Sequence, residues 1–137
     1  DSSAASDVYK RQVDIRTFGG GSDLQLIHGY GDGGFRVAGE RHGGSLFLHT
    51  RQAQAWEPPQ NLDQLTVDEL MPLIDANVPP LLVLGTGAPP NHPFSDLGQA
   101  FREKGIALEV LSTPAACRTW NVLMSEGRIA AAALVAI

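Results

Sequence analysis

One stretch of the chain holds the residues best suited to chemistry: "STPAACRTWNVLMSEGR", residues 112–128, with the one cysteine, Cys117. Ser112 or Thr113 can cap a helix here, Pro114 suits its first position and Gly127 its end. Cys117 then falls in the first turn, where the helix dipole and the adjacent Arg118 both favour a thiolate. A nucleophilic cysteine also needs a base and a group that orients the base. His92, in the neighbouring loop, is the histidine that can be placed near it. The competing reading is a small side chain at a packed helix edge. At about 100° per residue, Ala116, Trp120, Leu123 and Met124 form the apolar face, with Cys117 and Asn121 at its rim. The residue types favour packing over redox or ligand contact, and least of all a nucleophile. Arg118 opposes the dipole where it stands. Its fork of donors suits a carboxylate such as Asp96 or Glu109, or a bound anion.

A second polar stretch is "GTGAPPNH", residues 85–92. It begins like a dinucleotide fingerprint, but Pro90 stands where the third glycine belongs. No acid follows in the ribose-binding place unless Glu109 serves from inside the next strand. A tight strand-exit turn is the plainer reading, and a small ligand or anion on the helix N-terminus the other. Gly85, Thr86, Gly87, Thr113, Cys117, Arg118 and Asn121 together form a candidate ligand crevice. His28, His42, His49 and His92 show no HxxxH or HExxH spacing, and no second cysteine exists, so no metal site is expected. No catalytic set is complete, and no cofactor is expected. Trp56 and Trp120 read as core or interface anchors.

The elements that must position these residues follow from periodicity and turn chemistry. "LLVLG" is a continuous apolar run, the mark of a strand buried on both faces. In "PFSDLGQAFREKG", Phe94, Leu97 and Phe101 share a helical face and Gly105 is the stop. "IALEVL" is the next strand, the Cys117 helix follows, and "RIAAAALVAI" is the last strand. This βαβαβ order predicts three parallel strands, with the crevice beyond their carboxyl ends. Upstream, Thr66 and Glu69 have capping-box spacing with Leu65 and Leu70 as a staple, so a helix should run from Val67 to about Asp75, interrupted by Pro72. The N-terminal half is β and turn chemistry. Phe35–Ala38 and Ser45–His49 read as two strands of a hairpin across the link of residues 39–44.

The 137 residues fit one domain, with 43% hydrophobic and 18% charged residues. A net charge of −5 argues against nucleic acid as a partner. A single cysteine points to a reducing compartment. The longest apolar run, "IAAAALVAI", has nine residues, against the ~20 of a membrane-spanning helix. No secretory signal is read at the start. Residues 1–12, "DSSAASDVYKRQ", lack apolar periodicity and read as a non-native or disordered leader, leaving 13–137 as the folded domain.

The segments "YGDGGFRVAGERHGGSLFL", "LLVLGTGAPP" and "TPAACRTWNVLMSEGRIAAAAL" resemble the signature segments of one small family. It comprises the mitochondrial NADH dehydrogenase 1 alpha subcomplex assembly factor 3 proteins and the Mth938-like, or Mth domain, proteins. The likeness covers roughly residues 24–137. It implies a three-layer α/β fold with a mixed, mostly parallel central sheet, and no established catalytic residues. It implies a protein partner, such as respiratory complex I assembly intermediates. This chain differs from the mitochondrial relatives in showing no targeting leader, and so reads as a bacterial, cytoplasmic member, reaching the inner membrane through a partner. The alternative from the residues is a small-molecule or anion-binding enzyme, or a redox sensor, using the crevice. Oligomeric state is not legible.

Overall fold

The computed structural model describes residues 23–74 and 77–137. The leader inferred for residues 1–12 lies outside the described residues.

Three short strands come first: β1 (Ile27–Gly31), β2 (Gly34–Val37) and β3 (Glu40–Gly43). They form an antiparallel sheet in chain order. Two tight turns join them. Asp32 and Gly33 have φ of 53° and 75°, Ala38 and Gly39 of 50° and 83°. Two successive positive φ values match the right-handed twist of hairpin strands.

This corrects the expected hairpin of Phe35–Ala38 with Ser45–His49. The supposed link is itself β3, and the two apolar runs belong to different sheets. The second run contains β4 (Leu46–Leu48), which pairs with β5 (Ala53–Ala55) and with the last strand. Charged and glycine residues hide β3, because only pairing with β2 makes it a strand.

The rest follows the expected alternation. A 3-10 turn at Leu62–Gln64 precedes α1 (Val67–Ile74). The backbone N–H of Thr66 donates to Glu69 Oε1 at 3.0 Å, which is the glutamate half of the capping box. Leu65 and Leu70 are both buried in the same cluster. Then come β6 (Leu81–Gly85), α2 (Ser95–Arg102), β7 (Ala107–Leu111), α3 (Thr113–Ser125) and β8 (Ala131–Leu134). The five-stranded sheet has the order β5-β4-β8-β6-β7. β6 pairs in parallel with both β7 and β8, as the βαβαβ reading requires, and β4 runs antiparallel to β8.

Alternate residues of this sheet feed two cores. Leu46, Leu48, Val83, Ala132 and Leu134 pack with α3 and with Ile27, Phe35 and Val37 of the small sheet. Phe47, Leu82, Leu84, Ala131 and Ala133 pack with α1, α2 and Trp56. The result is three layers around a mixed, mostly parallel sheet. Side chains buried on both faces explain why β6 and β8 read as unbroken apolar runs. Where α3 crosses β6, only small residues fit. A Cβ on Gly85 would come within 3.1 Å of Ala116 Cβ, Leu134 Cδ2 and Thr113 Cα.

Candidate functional site

The parallel strands β6, β7 and β8 end together, and the chain leaving each one enters the predicted crevice. Gly85, Thr86, Gly87 and Thr113 meet there. Thr113 is fully buried and joins two of the exits. Its backbone N–H donates to Gly87 O at 2.9 Å, and its hydroxyl accepts from the Gly87 N–H at 2.8 Å. The same hydroxyl donates to Val135 O at 2.8 Å. The Val135 N–H donates to Gly85 O and the Thr86 N–H to Leu111 O, both at 2.9 Å. The Thr86 hydroxyl lies 2.7 Å from Ala88 O and 3.1 Å from Leu111 O, two acceptors for its one proton. Gly87 has φ of +85°, a conformation that L side chains avoid, and this presents its N–H to Thr113. The strand exits are thus stitched to one another through the groups expected to face a ligand.

The first turn of α3 is likewise occupied. Ser112 is its cap and accepts from the Ala115 N–H at 3.3 Å. Helix α3 starts at Thr113, so Cys117 lies in the second turn and not the first. Cys117 is 2% exposed and packs among Val83, Ala116 and Trp120. Burial pushes its thiol up from 9.0 to about 11, and nearby Arg118 offsets only part of that. The expectation of a favoured thiolate therefore reverses, because desolvation outweighs the dipole and the guanidinium.

Asn121 and Trp120 are not in the crevice. Asn121 Oδ1 accepts from the Ile27 N–H and its Nδ2 donates to Ile27 O, both at 2.8 Å. Trp120 Nε1 donates to Gln25 O at 2.7 Å. Both fasten the start of β1 to α3. Arg118 is exposed and, among the described residues, makes neither the ion pair with Asp96 nor the one with Glu109.

His92 is not beside Cys117. Its Nδ1 accepts from the Phe94 N–H at 3.1 Å, which leaves the ring proton on Nε2, facing Asp63. Phe94 and its neighbours pack on the α1–α2 face, while Cys117 packs on the α3 face. The sheet separates them, so no cysteine–histidine pair exists.

Two hollows lie outside the predicted crevice. One of about 390 Å³ runs between the small sheet and β5, lined by Asp23, Gln25, Glu40, His42 and Gln54 among others. A second of about 270 Å³ is bordered by Asp63, Leu65, His92, Phe94 and Asp96. The first was missed because it depends on β3, which was read as a link. Among the described residues no group of three potential metal ligands occurs.

Comparison with known proteins places this arrangement. Residues 27–135 match the model of a family described as proteins of unknown function, DUF498/DUF598. An uncharacterized protein of Rhodobacter capsulatus is 38% identical over 109 residues, covering 80% of this chain and 82% of its own. The human NADH dehydrogenase [ubiquinone] 1 alpha subcomplex assembly factor 3 is 34% identical over 116 residues, 83% of this chain. The match spans 62% of that human protein's length. A Mth938-like domain from Bordetella pertussis superimposes with a TM-score of 0.68 at 24% identity, covering 90% of this chain and 92% of its own, and shares the fold. The chain belongs to the DUF498/DUF598 family, alongside the complex I assembly factor 3 proteins and within the Mth938-like fold.

Proposed function

We propose that this protein acts by binding protein partners and that it assists the assembly of respiratory complex I, without catalysing a reaction of its own. The observation that carries the reading is the 34% identity to the human assembly factor over 83% of this chain. The internal bonding of the strand exits supports it, since the hydroxyl and N–H groups there already have partners. So does the buried, protonated state of Cys117. The working location is the cytoplasm, with the inner membrane reached through a partner. Among the described residues no helix is long and apolar enough to cross a membrane.

The test is affinity recovery from the native host under gentle lysis, with the membrane fraction retained. Complex I subunits or their early intermediates should co-purify, and a deletion strain should accumulate incomplete complex I on native gels. Normal complex I in the deletion strain, with no subunit recovered, would overturn the reading.

A further inference from the structure

The outer face of the three-stranded sheet carries a charge arrangement that packing does not explain. Arg36 of β2 and Arg41 of β3 are direct cross-strand partners. Opposed residues project from the same face, and like charges so placed destabilise the pair. Arg41 is tied down. Its Nη1 donates to Gly31 O at 3.1 Å and its Nη2 to Asp32 O at 2.8 Å. It lies over Gly34, where a Cβ would approach its Nη2 to 3.0 Å. Arg36 is exposed and, among the described residues, its side chain has no hydrogen bond or ion pair. Asp32, in the adjoining turn, offers Arg41 its carbonyl oxygen.

Glycine makes up the remaining paired positions of this face. Gly29 stands opposite Arg36, and Gly34 opposite Gly43. A Cβ at Gly29 or Gly43 would meet no heavy atom within 4 Å among the described residues. At Gly29 and Gly43 the floor is therefore bare backbone among the described residues, with Arg41 lying over Gly34 beside it. The reverse face of the same strands buries Phe35 and Val37 completely.

We infer that this face docks an acidic segment of a protein partner, with carboxylates seated at Arg36 and Arg41. Guanidinium forks match carboxylates in a bidentate way. The glycine floor lets an extended chain approach the sheet closely. A bound carboxylate would offset the like charge of two arginines that share one face. A nucleic acid is the poorer fit, because the chain carries −5 overall and this face has only two cations among its paired residues. The inference rests on the partner-binding reading above and adds the chemistry of the surface.

The experiment titrates the full chain with a ten-residue glutamate peptide at low salt, followed by amide chemical shifts. The amides of Gly29, Arg36, Arg41 and Gly43 should move, and Arg36→Glu should weaken binding by about tenfold or more. The Arg36 side chain makes no hydrogen bond or ion pair among the described residues, so this variant should melt no lower than the parent. Unchanged peptide affinity in Arg36→Glu, or shifts confined to other faces, would sink the inference. A DNA oligonucleotide binding the same amides more tightly than the peptide would also sink it. Complex I recovery by parent and variant alike would refute this surface and leave the assembly role standing. Peptide binding lost in the variant, with no recovery by the parent, would do the reverse.

Discussion

Asn121 pairs with Ile27 as a neighbouring strand would. Its carboxamide gives one hydrogen bond to the Ile27 carbonyl and takes one from the Ile27 N–H, across 94 positions of sequence. A helix side chain thereby completes the backbone of an edge strand where the ladder of β1 begins. The register of β1 shifts between Ile27 and Gly29, and the carboxamide holds the end beyond that irregularity. Asn121→Ala leaves a donor and an acceptor without partners. It should cost about 1–3 kcal/mol in denaturant melts. Asn121→Asp keeps the acceptor but turns a carboxylate oxygen toward the Ile27 carbonyl, and should cost at least as much. Melts of Asn121→Ala that match the parent would show that water replaces the pair at no cost.

The stitched strand exits give a second test. Thr113→Val keeps the shape and removes the hydroxyl that bonds Gly87 and Val135. The buried Gly87 N–H is then unsatisfied, and stability should drop by about 1–3 kcal/mol. If Thr113 instead served a ligand, the variant would melt normally and lose only that binding.

Two glycines two residues apart should fail for different reasons. Gly85→Ala forces a methyl to within 3.1 Å of three atoms at the α3 crossing, an overpacking cost of about 1–3 kcal/mol. At Gly87 the nearest atoms to an added Cβ are 3.7 and 3.8 Å away, so space is adequate and the φ of +85° is the obstacle. Gly87→Ala should cost about 1–2 kcal/mol, and Gly87→Asn less, since asparagine tolerates this conformation. Equal losses for Ala and Asn at Gly87 would rule out the backbone explanation.

Cys117 should make stability fall in alkali. Its folded pKa of about 11 lies above the ordinary 9.0, so the stabilising thiol form is intact below pH 9. Between pH 9 and about 11 the unfolded chain ionises first. Folding stability should then decline with a slope approaching about 1.4 kcal/mol per pH unit. The decline should be absent in Cys117→Ala, and a thiol reagent at pH 7 should react with the parent only at the rate of opening. Rapid labelling of the folded protein would contradict the buried thiol.

Much of the fold was legible because its strands and helices carry strong local patterns. Leu81–Gly85 has no polar residue, so a doubly buried strand was the natural reading. Phe94, Leu97 and Phe101 recur at helical spacing, and all three are buried. The small sheet was not legible from apolar pattern, since β3 reads Glu-Arg-His-Gly. Its signal lay in Asp32-Gly33, a dipeptide that favours the turn found there. The Ala38 turn had no such signal, because alanine seldom enters positive φ.

The crevice residues were chosen because they leave parallel strands, and Gly85, Thr86, Gly87 and Thr113 do meet. The misplaced pairing of His92 with Cys117 came from strand order, which local pattern does not encode. From β6 the chain moves to β7 on one side, then from β7 back past β6 to β8 on the other. Crossovers of one hand running in opposite directions lay their helices on opposite faces. The same order explains why Arg118 does not pair with Asp96, which belongs to α2 on the far side.

The place of β8 bears on how the protein is made. It is the last of the described strands, yet it lies between β4 and β6. During synthesis β4–β5 and β6–β7 emerge as two separate ribbons, each with an unsatisfied edge. Neither can join the other until the residues from Ala131 onward have cleared the ribosome. The Trp56 indole waits as well, since its N–H donates to Leu134 O. Long-range pairing of this kind slows folding, and open edges invite pairing with other chains. A nascent chain stalled before Ala131 therefore leaves uncovered the two strand edges, on β4 and β6, that β8 pairs with.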